Sequence, residues 1–131
     1  MLRSSHPINM RTILLVEDSA VLRETLRTIL EDSGFCVIAC NDGQSAIEQA
    51  RHLVIDLMLV DFRMPGLSGM DVVKILRERH PRACIIGMSL EDRENSFLAA
   101  GADAFLMKPF DIEEVVRIAG AKADERACIS K

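Results

Sequence analysis

Four apolar runs in this chain end on a side chain that can do chemistry. Glu17-Asp18 follows "TILLV", Asp61 closes "LMLVD", Ser89 closes "CIIGMS" and Lys108 follows "AFLM". A carboxylate at the end of a buried strand is costly unless something compensates its charge. Several carboxylates brought together raise one another's pKa and disfavour ionisation. A hard divalent cation with oxygen ligands relieves that, and Mg²⁺ typically takes one or two carboxylates, with waters and phosphate oxygens completing its shell. A lysine beside it adds a second point charge suited to a phosphoryl oxygen. If these chain ends meet, they form a site for phosphoryl transfer.

Whether they meet depends on the elements that carry them. "TILLVE" (12–17) reads as a strand, followed by Val21, Leu22, Thr25, Leu26, Ile29 and Leu30 at helical spacing, with Gly34 as a stop. The alternation continues with a strand at 35–40, a helix at 43–53, a strand at 56–61, a helix at 69–79, a strand at 84–89, a helix at 91–100 ending at Gly101, and a strand at 104–107. Asp111, with Glu114 three residues on, caps a final helix.

Continuous apolar strands alternating with helices predict a parallel sheet covered on both faces, because right-handed crossovers place helices there. The expected fold is α/β, a three-layer α/β/α domain of (βα)5 type. Ligands of such sheets bind at the carboxyl ends of the strands, where the strand order reverses. Glu17, Asp18, Asp61, Ser89 and Lys108 all project to that edge.

The chain has 131 residues, enough for one domain with a sizeable core. Its 16 basic and 20 acidic residues give a net charge of −4, and the basic ones are scattered, which argues against direct binding to nucleic acid or an anionic membrane. "ILLV" stops at Glu17, too short for a secretory or membrane-spanning segment, so a soluble, unexported protein is expected. Cys36 and Cys40 are four apart in a strand, so their Cα atoms lie roughly 13 Å apart, too far for a disulfide. Cys84 and Cys128 are isolated and no CxxC or HxxxH spacing suggests zinc, which predicts buried thiols in a reducing cytosol. His6, His52 and His80 have no partner at metal or relay spacing.

The motifs "LLVED", "LMLVDFRMPG", "GMS" and "FLMKPF", in this order on five βα units, resemble the receiver domain of two-component response regulators, CheY-like in type, over about residues 12–120. The resemblance implies a flavodoxin-like sheet of order 2-1-3-4-5, with a receiver domain at 12–122, an N-terminal tail at 1–11 and a C-terminal tail or linker start at 123–131. It makes Asp61 the phosphoacceptor, charged by a sensor histidine kinase or phosphotransfer protein. Mg²⁺ would be held by Asp18, Asp61 and the backbone carbonyl of Arg63, with Glu17 acting through water. Lys108 would pair with the phosphoryl oxygens, and its bond to Pro109 would be cis. Ser89 would be the switch hydroxyl and Phe105 the switch aromatic, turning inward as the hydroxyl moves. The signal would pass to a downstream protein or output domain, or to a second copy in a homodimer. The implied role is cytoplasmic signalling, not enzymatic turnover.

Three features depart from the usual pattern. Leu90 stands where a small residue is usual, and bulk there would hinder small phosphodonors or attacking water. Arg63, two residues past Asp61, could pair with an acid of the unphosphorylated site. The segment from Ser89 to Gly101 is about one helical turn short, which puts partner docking through that face in question. Two other classes share parts of the pattern. A flavin-binding electron carrier would need a glycine- and hydroxyl-rich loop where "EDSAVLRE" stands. A phosphohydrolase acting on external substrates would need chain length for a substrate lid.

Overall fold

The computed structural model describes residues 11–130, and side chains as far as Lys122. Five strands, β1 (Thr12–Val16), β2 (Cys36–Cys40), β3 (Leu57–Asp61), β4 (Cys84–Ser89) and β5 (Ala104–Met107), alternate with five helices. These are α1 (Ala20–Asp32), α2 (Gly43–Ala50), α3 (Gly69–Arg79), α4 (Glu94–Ala100) and α5 (Ile112–Ser130). The strands form one parallel sheet of order β2-β1-β3-β4-β5. Fold and strand order are those expected.

Side-chain alternation divides the apolar strand residues between two cores. Leu14, Val16, Met58, Val60 and Ile85 face α2, α3 and α4, packing with Ala46, Val72, Leu76 and Phe97. Ile13, Leu15, Leu57, Leu59, Ile86 and Met88 face α1 and α5, packing with Leu26, Leu30 and Val115. The three central strands read as unbroken apolar runs because both their faces are covered.

Helix starts are fixed by caps. The side chains of Ser19, Asp42 and Ser68 accept from the N–H groups of Leu22, Ser45 and Asp71. Glu114 accepts from the Asp111 N–H at 3.3 Å, one half of the expected capping box. Helix α4 starts at Glu94, three residues later than the apolar spacing predicts. The residues before it bond to side chains instead, since Ser89 Oγ accepts from Glu91 N–H and Asp92 Oδ1 from Glu94 N–H. Helix α2 ends at Ala50, short of the expected 53. Helix α5 runs on to Ser130, through the segment expected as a tail, because residues 121–130 contain neither glycine nor proline. His6, the side chain of Cys128 and most of the N-terminal tail lie outside what is described.

At the edge opposite the strand carboxyl ends, one arginine ties the loops together. Arg77 donates to the carbonyls of Gly101 (2.9 Å), His80 (3.3 Å), Pro81 (3.1 Å) and Ala83 (2.8 Å), and to Asp103 Oδ2 at 2.6 Å. Asp103 also accepts from Ile85 N–H at the start of β4. Arg77→Ala would take a cationic partner from the part-buried Asp103 carboxylate and a donor from several loop carbonyls, with an expected loss of about 2–4 kcal/mol. Urea unfolding measures this, and a loss below about 1 kcal/mol would show that water replaces the clamp.

The thiols correct one expectation. Cys40 and Cys84 are buried, but Cys36, on the edge strand β2, is exposed. Burial pushes the Cys40 thiol up to about 11, helped by the charge of Asp42, so it is inert near neutral pH.

Candidate functional site

Strand order reverses at β1, whose neighbours β2 and β3 are reached by connections on opposite sides of the sheet. The carboxyl ends of β1 and β3 therefore open a crevice. Into a cleft of about 210 Å³ project Glu17, Asp18, Asp61, Ser89 and Lys108, with Arg63 and Leu90 at its mouth. All the residues that the sequence places at strand ends are brought together, while Phe105, within β5, does not line the cleft.

The cleft is built around an unusual burial of charge. Glu17 is 2% exposed and Asp61 5%. The Lys108 ammonium donates to Glu17 Oε1 and Asp61 Oδ1, each at 2.8 Å. Burial pushes the Asp61 carboxyl above its usual pKa, and the charge of Glu17 adds to this against the hydrogen bond from Lys108. Burial alone would lower the Lys108 ammonium, but its hydrogen bonds to Asp61 and Glu17 outweigh that and hold it above its usual value. The Lys108–Pro109 bond is cis, as the resemblance implies.

The expected metal ligands do not form a preassembled cage. Among the described residues no three His, Cys, Asp or Glu side chains converge closely enough to hold an ion. Lys108 stands between Glu17 and Asp61, while Asp18 is exposed at the cleft. The donor set nevertheless fits Mg²⁺, which binds hard oxygens, takes only one or two carboxylates directly and keeps several waters. Asp18 and Asp61, at the ends of adjacent strands, are the carboxylates within the cleft that could be offered to it.

Several contributors were not singled out from sequence. Arg23, one turn into α1, donates to the carbonyls of Glu17 (2.8 Å) and Asp18 (3.4 Å), and Ser19 N–H donates to Glu17 Oε2 at 3.0 Å. These bonds fix the loop that presents the acidic pair. At the rim Arg63 does pair with an acid, but with Glu91 (3.3 Å), which Arg93 also binds at 2.7 Å. The hydrogen bond from Arg93, then the charge of Arg63, hold the Glu91 carboxyl below its usual pKa. Arg93 also lies over the Phe62 ring, 4.3 Å from its centroid. No motif marks these contacts, since their partners come from two separate loops.

A larger groove of about 460 Å³ leads away from the cleft between α1 and the loop after β5. Leu22, Leu26, Ile29, Leu90, Pro109 and Phe110 make it apolar, with Glu17 and Lys108 at its end. No described helix is long and apolar enough to cross a membrane.

Comparisons with known proteins agree with this geometry. Residues 13–119 match the profile of the Response regulator receiver domain. The chain is 36% identical over 108 residues to the probable transcriptional regulatory protein TcrX of Mycobacterium tuberculosis, covering 80% of this chain and 46% of TcrX. It is 39% identical over 121 residues to the nitrate/nitrite response regulator protein NarP of Escherichia coli, covering 86% of this chain and 56% of NarP. The chain thus spans about half the length of these relatives. The structure of the response regulator TrrA from Thermotoga maritima, in complex with Mg²⁺-BeF, superposes with a TM-score of 0.78 at 28% identity, covering 86% of this chain and 99% of that one. With buried acid and lysine at the crevice of a 2-1-3-4-5 sheet and the profile matched across nearly all of it, the chain belongs to the response regulator receiver domain family.

Proposed function

We propose that Asp61 is the phosphoacceptor of this receiver and that Lys108 and the acidic pair assist its phosphorylation. The observation that carries this is the Glu17–Lys108–Asp61 arrangement, in which an aspartate is kept buried beside an ammonium at a crevice open to solvent. A carboxylate oxygen of Asp61 attacks phosphorus, the bond from phosphorus to the donor's histidine nitrogen breaks, and the electron pair leaves with that nitrogen. Lys108 turns its ammonium to a phosphoryl oxygen. Asp18, Asp61 and the Arg63 carbonyl would hold Mg²⁺, with Glu17 acting through water, and the ion when bound offsets charge on the transferring group. Ser89, 3% exposed, accepting from Glu91 N–H and lining the same cleft as Asp61, is the proposed switch hydroxyl.

A cytoplasmic sensor histidine kinase or phosphotransfer protein is the proposed donor. The apolar groove along α1, ending at Lys108, supports docking of a protein donor beside Asp61. The signal is then passed to a downstream protein or output domain.

Incubation with a small phosphodonor and Mg²⁺, followed by intact mass measurement, tests the reading. One phosphoryl adduct that depends on Mg²⁺ is expected, and no adduct from small donors or histidine kinases would refute it. Leu90 is 72% exposed and lines both cleft and groove. Leu90→Ala should speed labelling by small donors by up to about tenfold, a barrier change of about 1.4 kcal/mol. Equal rates in variant and wild type would remove Leu90 as an obstacle.

A further inference from the structure

We infer that Phe97 on α4, and not Phe105, carries the conformational signal away from the phosphorylation site, an inference that rests on Asp61 being the phosphoacceptor. Phe105 lies beside Gly87 in the ladder between β4 and β5, level with that glycine and not with Ser89. Turning inward would take its ring over Gly87. That space is filled by Phe97, which is fully buried, and a Cβ built on Gly87 would lie 2.3 Å from two carbons of its ring. The rings of Phe97 and Phe105 are already stacked, with centroids 5.7 Å apart and 29° between their planes. Rotation of Ser89 towards a phosphoryl group vacates only a small volume, and in this chain the place over Gly87 that the Phe105 ring would take is already held by Phe97.

Phe105 packs on the same core through Phe97, and it is Phe97 that reaches the acceptor. Its Cζ lies 3.1 Å from a Cβ built on Gly69, and that same Cβ would lie 2.5 Å from the Asp61 carbonyl oxygen. The edge of Phe97 is thus next to the backbone of the acceptor. Its ring also meets Phe62, the residue after Asp61, edge to face at 6.4 Å. At the start of α4, Arg93 covers the other part of Phe62. A shift of the acceptor loop therefore reaches α4 through Phe62, Phe97 and Arg93, a contiguous packed path that does not include Phe105. Gly87 is the residue that makes room for Phe97.

The test compares wild type, Phe105→Leu and Phe97→Met by amide NMR, with Mg²⁺ and beryllofluoride as the phosphoryl mimic. Amides beside the site, those of Phe62, Arg63 and Leu90, should shift in all three proteins. Shifts in α4 should persist in Phe105→Leu and be lost in Phe97→Met, and the χ1 rotamer of Phe105 in wild type should be unchanged by the mimic. Loss of the α4 shifts in Phe105→Leu, or an inward rotamer of Phe105 in wild type, would overturn the inference whether or not Phe97→Met folds. Absence of shifts at Phe62, Arg63 and Leu90 would refute the phosphoacceptor reading itself, and the inference with it.

Discussion

Replacing Asp61 by asparagine should abolish phosphoryl incorporation and, at pH 7, make the resting protein more stable. The loss of incorporation follows because the amide is no nucleophile. The gain in stability follows from burial, which raises the folded-state pKa of Asp61 above its usual 3.8. A folded state that binds the proton more tightly than the unfolded one loses stability as pH rises through the raised value. That loss is absent below the usual value and grows as pH rises above it. Asparagine removes the buried charge and leaves Lys108 paired one to one with Glu17. Urea unfolding of both proteins checks this: the advantage of Asp61→Asn should shrink as pH falls towards 4. A variant less stable than wild type at pH 7 would mean that the ion pair outweighs the desolvation.

Lys108→Ala has the opposite sign. It leaves two buried carboxylates facing one another with no cation, and breaking a buried pair in this way costs about 3–5 kcal/mol. Because the folded pKa of Lys108 lies above its usual 10.5, its contribution is whole at pH 7–8 and is lost only as pH rises through that folded value. Mg²⁺ should replace part of what is missing. A ligand that binds only the folded state stabilises it by an amount that grows with the logarithm of one plus the ratio of its concentration to its dissociation constant. Its effect on the unfolding midpoint should therefore be larger in Lys108→Ala than in wild type. A stability loss below about 1 kcal/mol, or equal Mg²⁺ effects in the two proteins, would contradict this account of the site. Phosphoryl transfer to the variant should also be slow, since the ammonium meant for the phosphoryl oxygens is gone.

Much of the site was legible because each chemical residue ends an apolar run, and a parallel sheet gathers such ends at one edge. The β4, β5 and α3 boundaries follow the sequence patterns, since uncovered polar residues and caps mark them clearly. The start of α4 did not follow, because apolar spacing is silent about side-chain acceptors at Ser89 and Asp92 that draw the preceding N–H groups out of the helix. Arg77 and Asp103 are 26 residues apart, and Gly87 and Phe97 compensate one another's volume between two elements. Such pairings depend on tertiary placement and leave no periodic trace. The position of Lys108 between Glu17 and Asp61 is of the same kind: the sequence places three charges at one edge, but not which of them touch.

Borohydride reduction of the phosphorylated protein, followed by peptide mass mapping, tests the central claim most directly. An acyl phosphate is reduced to the alcohol, which converts the modified aspartate to homoserine. The account predicts homoserine at position 61 alone, dependent on both Mg²⁺ and phosphodonor. Homoserine at another carboxylate such as Asp18, or an adduct that resists reduction, would contradict it.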